Sequence, residues 1–212
     1  LIAARASGVP CLERSEMLGL ISRRYNRAIC VSGTHGKTTT SGMIAQVLLE
    51  AGLDPSAFIG GKVKALGGSG RSGDSDIIVI EACEFRDTFL HLANDISVIL
   101  NIDNDHLDYF GTIENSIRSF RTFAEHSSGP VIVNGCDANS MKAVEGLSKE
   151  IITFGWDDSC DYWPADVRSL GGAKSAYTLM RGGEALAEVT LSIPGRHNIL
   201  NSLACAGACI CA

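Results

Sequence analysis

Residues Gly33 to Thr39, reading G-T-H-G-K-T-T, place glycine, lysine and threonine in the order that wraps a phosphate. A short apolar run, Ala28 to Ser32, precedes them, and behind them Met43, Ile44, Val47 and Leu48 recur at helical spacing. A strand, a glycine turn and a helix starting at Lys37 would surround an anion with backbone N–H groups and the positive end of a helix dipole. Lys37 would reach terminal phosphates, and the Thr38 hydroxyl stands where it can ligate Mg²⁺. The spacing is unusual, however. The common loop G-x-x-x-x-G-K-[ST] needs glycine five residues before Gly36, where Val31 stands, so counting from Gly33 the loop is two residues short.

Three further segments carry chemistry. Glu81 ends the apolar run "DIIVIEA" (Asp76 to Ala82), and an acidic residue at the carboxyl end of a buried parallel strand faces the crevice where α/β sheets bind ligands. It could hold Mg²⁺ opposite Thr38, with Glu84 assisting, or be an ordinary strand-end charge. In "NIDNDHLDYFG" (Asn101 to Gly111), His106 with Asp103, Asp105 and Asp108 reads either as ligands for a second divalent cation or as a solvated acidic loop. In "GRHNILN" (Gly195 to Asn201), Asn198 and Asn201 share a helical face, and their amides could pair with adenine or simply cap the helix. His91 and His126 have no partner pattern and read as surface or structural residues.

These residues must be positioned by a sheet. "SAFIGG", "DIIVIEA", "DISVILN", "PVIVNG" and "SKEIITFG" read as strands, the continuous apolar ones suiting the interior of a parallel sheet. The phosphate-loop helix should run from Lys37 to Glu50 and stop before Gly52, Asp54 and Pro55. A second, "TIENSIRSFRTFAEH", starts with a threonine cap and lines up Ile113, Ile117, Phe120 and Phe123. "GGSGRSG" has the composition of an exposed turn. "AYTLMRGGEALAEVTLSI" alternates around Gly182-Gly183 as a β-hairpin, and a helix then runs from the Gly195 region to Ala212. The fold class expected is α/β: a P-loop-type, mostly parallel sheet flanked by helices, with an appended antiparallel β-hairpin. The opening "LIAARASGVPCLERSEMLGLIS" reads as the last helix, strand and helix of a preceding domain, giving expected boundaries of 1–27 and 28–212.

Composition narrows the function classes. A net charge of -6 without any basic block argues against nucleic acid as the main partner. No apolar run reaches the eighteen or so residues that span a bilayer, and the expectation is a cytosolic protein. The eight cysteines include no C-x-x-C pair, so they read as small buried residues rather than a zinc or redox site.

The short loop G-T-x-G-K-T-[ST], followed in order by "IEACE", "NIDNDHLDYFG" and "GRHNILN", resembles the Mur ligase family, which uses ATP to build the peptidoglycan stem peptide. The resemblance covers nearly the whole chain. It leans toward the branch that joins L-alanine to UDP-N-acetylmuramate, because of His35 in the loop, "EACE…FL" and "DHLDYFG". Other branches more often carry asparagine in the loop, and several use a carbamylated lysine after the D-H motif, whereas no lysine lies between Asn104 and Pro130. Cys83 departs from the aspartate of many relatives but leaves Glu81 intact. The murein-peptide recycling ligases share the loop histidine and remain the nearest alternative, with folylpolyglutamate-type ligases further off. A non-catalytic nucleotide switch is the rival from another class, and the chain has no N-K-x-D guanine motif.

The resemblance implies ATP and Mg²⁺, two ions in the family's chemistry, as cofactors. It implies that Gly33, Thr34, His35, Gly36, Lys37, Thr38 and Thr39 bind the phosphates, and that Thr38, Glu81 and His106 hold metal. It further implies catalytic roles for Lys37, Glu81 and His106, and adenine seated by His197, Asn198 and Asn201. A preceding domain would hold the UDP-sugar and a following one the amino acid.

Overall fold

A computed structural model describes residues 2–212. Ten strands form one sheet. Its centre is β1 (Arg27–Ser32), paired in parallel with β4 (Ile77–Glu81) on one side and β5 (Ile96–Ile99) on the other. Beyond β4 lie β2 (Ser56–Val63) and, antiparallel to it at the edge, β3 (Gly68–Arg71). Beyond β5 follow β6 (Val131–Asn134), β7 (Ile151–Phe154), β8 (Tyr162–Gly171), β9 (Lys174–Arg181) and β10 (Glu184–Leu191). Pairing is parallel as far as β7–β8 and antiparallel from there to β10.

Alternation along β1 divides the core into two layers, because successive side chains in a strand point to opposite faces. Ile29 and Val31 pack with Ile44, Ala45 and Leu48 of α3 (Lys37–Glu50) and with Ile199 and Leu203 of α7 (Arg196–Cys211). Ala28 and Cys30 face the other way, toward α5 (Ile113–Glu125), where Phe89, Phe120 and Phe123 cluster. Phe89 stacks on Phe123 with centroids 4.8 Å apart and meets Phe120 edge-on at 5.3 Å. With both faces covered, Ala28 to Val31 are fully buried, which is why the run could be wholly apolar.

Helix ends follow their local chemistry. The Thr112 hydroxyl accepts from the Asn115 N–H at the start of α5, and Asp137 does the same for Ser140 at the start of α6 (Ala138–Val144). Near the N-terminus are the five-residue α1 (Ile2–Ala6) and α2 (Arg14–Ser22), and α4 (Leu107–Phe110) lies ahead of α5. Helix α2 is fastened to the sheet layer, since the Ala93 N–H donates to Ser22 Oγ at 3.0 Å.

Three expectations need correction. No strand forms between α1 and α2; Val9 and Leu12 are exposed, and neither has a neighbouring strand to pair with. The "GGSGRSG" segment is not simply a turn, for it contains β3, held to β2 by backbone pairing that needs no side-chain pattern. Strand β2 runs through its paired glycines to Val63. The expected β9–β10 hairpin is present, and β8 adds a third antiparallel strand that joins it to the parallel part of the sheet. Among the described residues no helix is long and apolar enough to cross a membrane.

Candidate active site

The order β2-β4-β1-β5 makes β1 a switch point, from which the chain continues to one side through α3 and β2 and to the other through β5. Ligands of open α/β sheets bind beyond the carboxyl ends of strands at such a point. Register brings the chemistry there: Val31 lies beside Glu81, and Ser32 beside Ile99. The loop after β1, Glu81 at the end of β4 and Asn101 just past β5 therefore converge.

Gly36 is the N-cap of α3, with φ +90°, a left-handed conformation that glycine adopts without steric penalty. It has no side chain to accept from the N–H groups of the first turn, so these remain available to an anion. Lys37 folds back over the loop. Its Nζ donates to the carbonyls of Gly33 at 2.6 Å and Thr34 at 3.2 Å, and to Glu84 Oε1 at 3.1 Å. Thr39, half-buried, sits in the first turn of the same helix.

Thr38 Oγ1 lies 3.0 and 2.9 Å from the two Glu81 oxygens. The Gly60 N–H donates to Glu81 Oε2 at 2.7 Å and fixes the carboxylate from the other side. The paired glycines of β2 make room for this arrangement. A Cβ on Gly60 would stand 2.9 Å from Glu81 Oε1, and one on Gly61 would stand 2.7 Å from Thr38 Cγ2. The Thr38–Glu81 separation suits one hard cation, since adjacent oxygens around octahedral Mg²⁺ at about 2.0–2.1 Å sit about 2.9 Å apart.

Asn101, to which the sequence reading gave no separate role, clamps the loop. Its Oδ1 accepts from the His35 N–H at 2.8 Å, its Nδ2 donates to the His35 carbonyl at 3.0 Å, and its own carbonyl accepts from Thr34 N–H at 3.0 Å. Thr34 Oγ1 in turn accepts from the Asp103 N–H at 2.9 Å.

Beside the loop lies a cavity of about 280 Å³, walled by Leu100, Phe154 and Leu200 and edged by His35, Asn101, Asn134, His197 and Asn201. An apolar slot with a few polar groups suits a flat heterocycle. His197 and Asn201 are thus brought to the loop. Asn198 is not on this wall: its Nδ2 donates to the Pro194 carbonyl at 2.6 Å and its Oδ1 accepts from Asn201 Nδ2 at 3.0 Å. The amide read as an adenine partner is occupied within the chain, as a brace for the start of α7. Arg196 adds a second brace, its guanidinium 4.4 Å from the Trp156 ring centroid.

His106 takes a left-handed backbone conformation, φ +52°, and its ring rests on Phe85 with centroids 4.7 Å apart. Its Nδ1 is 3.8 Å from Asp105 Oδ1. Among the described residues no three His, Cys, Asp or Glu side chains gather into a metal-binding group, so the acidic cluster around His106 is not formed as a ligand set. Nearby, the Tyr109 hydroxyl donates to Asp87 Oδ2 at 2.6 Å, and this carboxylate raises the Tyr109 pKa. The cysteines are only partly core residues: Cys30, Cys160 and Cys205 are buried, whereas Cys11 and Cys136 are exposed. His91 and His126 are both exposed.

Residues 31–209 match the Mur ligase middle domain. The chain belongs to the Mur ligase family. A UDP-N-acetylmuramate–L-alanine ligase from Caldanaerobacter subterraneus subsp. tengcongensis is 42% identical over 203 residues, 95% of this chain and 44% of that protein. The solved UDP-N-acetylmuramate–alanine ligase of Thermotoga maritima superimposes with TM-score 0.82 at 27% identity, covering 97% of this chain and 46% of that one. The UDP-N-acetylmuramate:L-alanyl-γ-D-glutamyl-meso-diaminopimelate ligase of Neisseria meningitides gives TM-score 0.84 at 25% identity, covering 98% and 68%. The chain spans less than half the length of the curated relatives it matches. The short phosphate loop is therefore a Mur ligase loop, and the parallel sheet with its three-stranded extension is the Mur ligase middle-domain fold.

Proposed function

We propose that this chain is the ATP-binding part of an enzyme that joins L-alanine to UDP-N-acetylmuramate, forming an amide through an acyl phosphate. Residues 28–212 would be the central domain, and 1–27 the tail of a sugar-nucleotide-binding domain. The observation that carries the reading is the Thr38–Glu81 pair, 2.9 Å apart at the foot of a glycine-capped helix, in a chain 42% identical to a named alanine ligase.

The chemistry follows from the loop. The N–H groups at the start of α3 hold the polyphosphate, and Lys37 offsets charge on the γ-phosphoryl group as the muramate carboxylate attacks it. Thr38 and Glu81 would hold Mg²⁺, which when bound neutralises phosphate charge and orients the transfer. Attack by the alanine amine on the acyl carbon then expels phosphate. Positioning and charge neutralisation would be this domain's main contribution in the scheme, the amine having given up its ammonium proton to solvent before it attacks. His197, Asn201 and the apolar slot would receive adenine, with Asn198 bracing them. A second ion at His106 finds no ready ligand set, and no step is assigned to it.

The test is ADP release by the longer protein that carries this domain, supplied with ATP, Mg²⁺ and UDP-N-acetylmuramate. Release that depends on L-alanine supports the proposal. Release that ignores alanine and responds to L-alanyl-γ-D-glutamyl-meso-diaminopimelate would instead assign the recycling reaction named for the Neisseria structure.

A further inference from the structure

Glu84, expected from the sequence to assist Glu81 at the metal, is turned onto Lys37 instead. It is 3% exposed, and its two oxygens lie 3.1 and 3.0 Å from Lys37 Nζ, with Oε1 alone in hydrogen-bonding alignment. Its Oε2 is buried without a hydrogen-bond donor. An ammonium has three N–H donors, and Lys37 uses all of them, on Gly33 O, Thr34 O and Glu84. Lys37 is thus saturated and drawn back into the protein. The hydrogen-bonded network of the loop holds one ammonium, Lys37, against two carboxylates, Glu81 and Glu84. Neighbouring Arg86 is exposed, with its guanidinium 5.5 Å from the Phe85 ring centroid, and does not pair with Glu84.

We propose that Glu84 is a positioning and discriminating residue, which makes this loop accept a metal-loaded nucleoside polyphosphate and reject the metal-free one. The inference rests on the nucleotide reading above and concerns how that site selects its ligand. A bare polyphosphate would enter a loop whose own charge is already negative. It would also compete with Glu84 for Lys37, and a buried carboxylate deprived of the cation paired with it is strongly destabilised. A polyphosphate that carries a divalent cation to Thr38 and Glu81 brings the compensating charge with it. Without Glu84, the free ammonium of Lys37 would attract either form.

The experiment measures ADP dissociation constants for the 212-residue chain by calorimetry, with excess Mg²⁺ and with EDTA. E84Q keeps the shape and an acceptor for Lys37 but removes the charge; E84D keeps the charge and shortens the reach. The expected result is that E84Q tightens metal-free binding about tenfold, while Mg²⁺-loaded binding changes less than about threefold. The ratio of the two constants then shrinks in E84Q and is retained in E84D. An unchanged ratio in E84Q, or weaker metal-free binding, overturns the inference while leaving the nucleotide site standing. Should E84Q not fold, a ratio that collapses in E84D overturns it equally. Wild-type chain that binds no ADP in either condition refutes the nucleotide reading and this inference with it.

Discussion

Replacing Asn101 by alanine isolates the part played by loop order. The side chain makes two hydrogen bonds to His35, at 2.8 and 3.0 Å, and closes the loop from the β5 side. Each such bond contributes about 1 kcal/mol net, so N101A should release the loop by about 2 kcal/mol. A nucleotide must then restore that order as it binds, and about 2 kcal/mol corresponds to roughly thirtyfold in dissociation constant. The assay is calorimetric titration of wild-type and N101A chains with ADP and Mg²⁺, alongside urea unfolding of each. An affinity loss between about tenfold and thirtyfold, with a smaller fall in global stability, is the expected pattern. N101D should bind more weakly still, because it points a carboxylate oxygen at the His35 carbonyl and adds negative charge beside the phosphates. N101A affinity within about threefold of wild type, accompanied by an unfolding shift, would show that the clamp serves the fold and not the loop.

Three other outcomes follow from the geometry. Lys37→Ala in the longer protein should lower kcat by at least about a hundredfold, since the side chain neutralises phosphate charge, and should lower the melting temperature as well, because it strips the buried Glu84 of its ion-pair partner; near-normal turnover would remove the loop from the mechanism. Gly36→Ala combines a left-handed φ with a Cβ 2.6 Å from Asn201 Oδ1, and should destabilise the chain by about 2–4 kcal/mol in urea unfolding; a change under about 0.5 kcal/mol would contradict the cap geometry. Tyr177 is fully buried, and burial pushes its hydroxyl up to about 12 from the ordinary tyrosine value of about 10, against a hydrogen bond with Ser202 at 2.8 Å that opposes the shift. Its protonated form is favoured in the folded state, so its contribution is intact below pH 10 and lost as pH rises toward 12, about 2–3 kcal/mol in all. Unfolding midpoints followed across that window should fall less steeply in Tyr177→Phe, and equal slopes would refute the assignment.

Much of this was legible in the sequence where one segment contains its own answer. The helix from Lys37 to Glu50 begins and ends where the glycine turn and the stop at Gly52, Asp54 and Pro55 place it, and Thr112 caps α5 as its type suggests. The alternation of Ile29 and Val31 against Ala28 and Cys30 decides two core layers, although the run is uniformly apolar and shows no alternation by itself. What was not legible depends on partners distant in the chain. β3 is glycine, serine and arginine, and exists because β2 offers it an edge. β8 carries Pro164 and an exposed polar half, and is a strand because β7 and β9 flank it. Asn101 and Asn198 have the same side chain, yet one clamps the loop and the other braces α7; only the fold separates these uses. The pairing of Lys37 with Glu84 spans 47 positions and has no local signature.

The central claim is that the phosphate loop serves amide formation through an acyl phosphate. Its most direct test uses the longer protein, ATP, L-alanine and UDP-N-acetylmuramate labelled with ¹⁸O in the muramate carboxylate. Attack of that carboxylate on the γ-phosphoryl group, followed by displacement by the amine, must leave one labelled oxygen in the released phosphate for each amide formed. Phosphate carrying the label, in step with alanine consumption, is the result the account predicts. Unlabelled phosphate alongside amide formation, or ADP release with no amide at all, would contradict it.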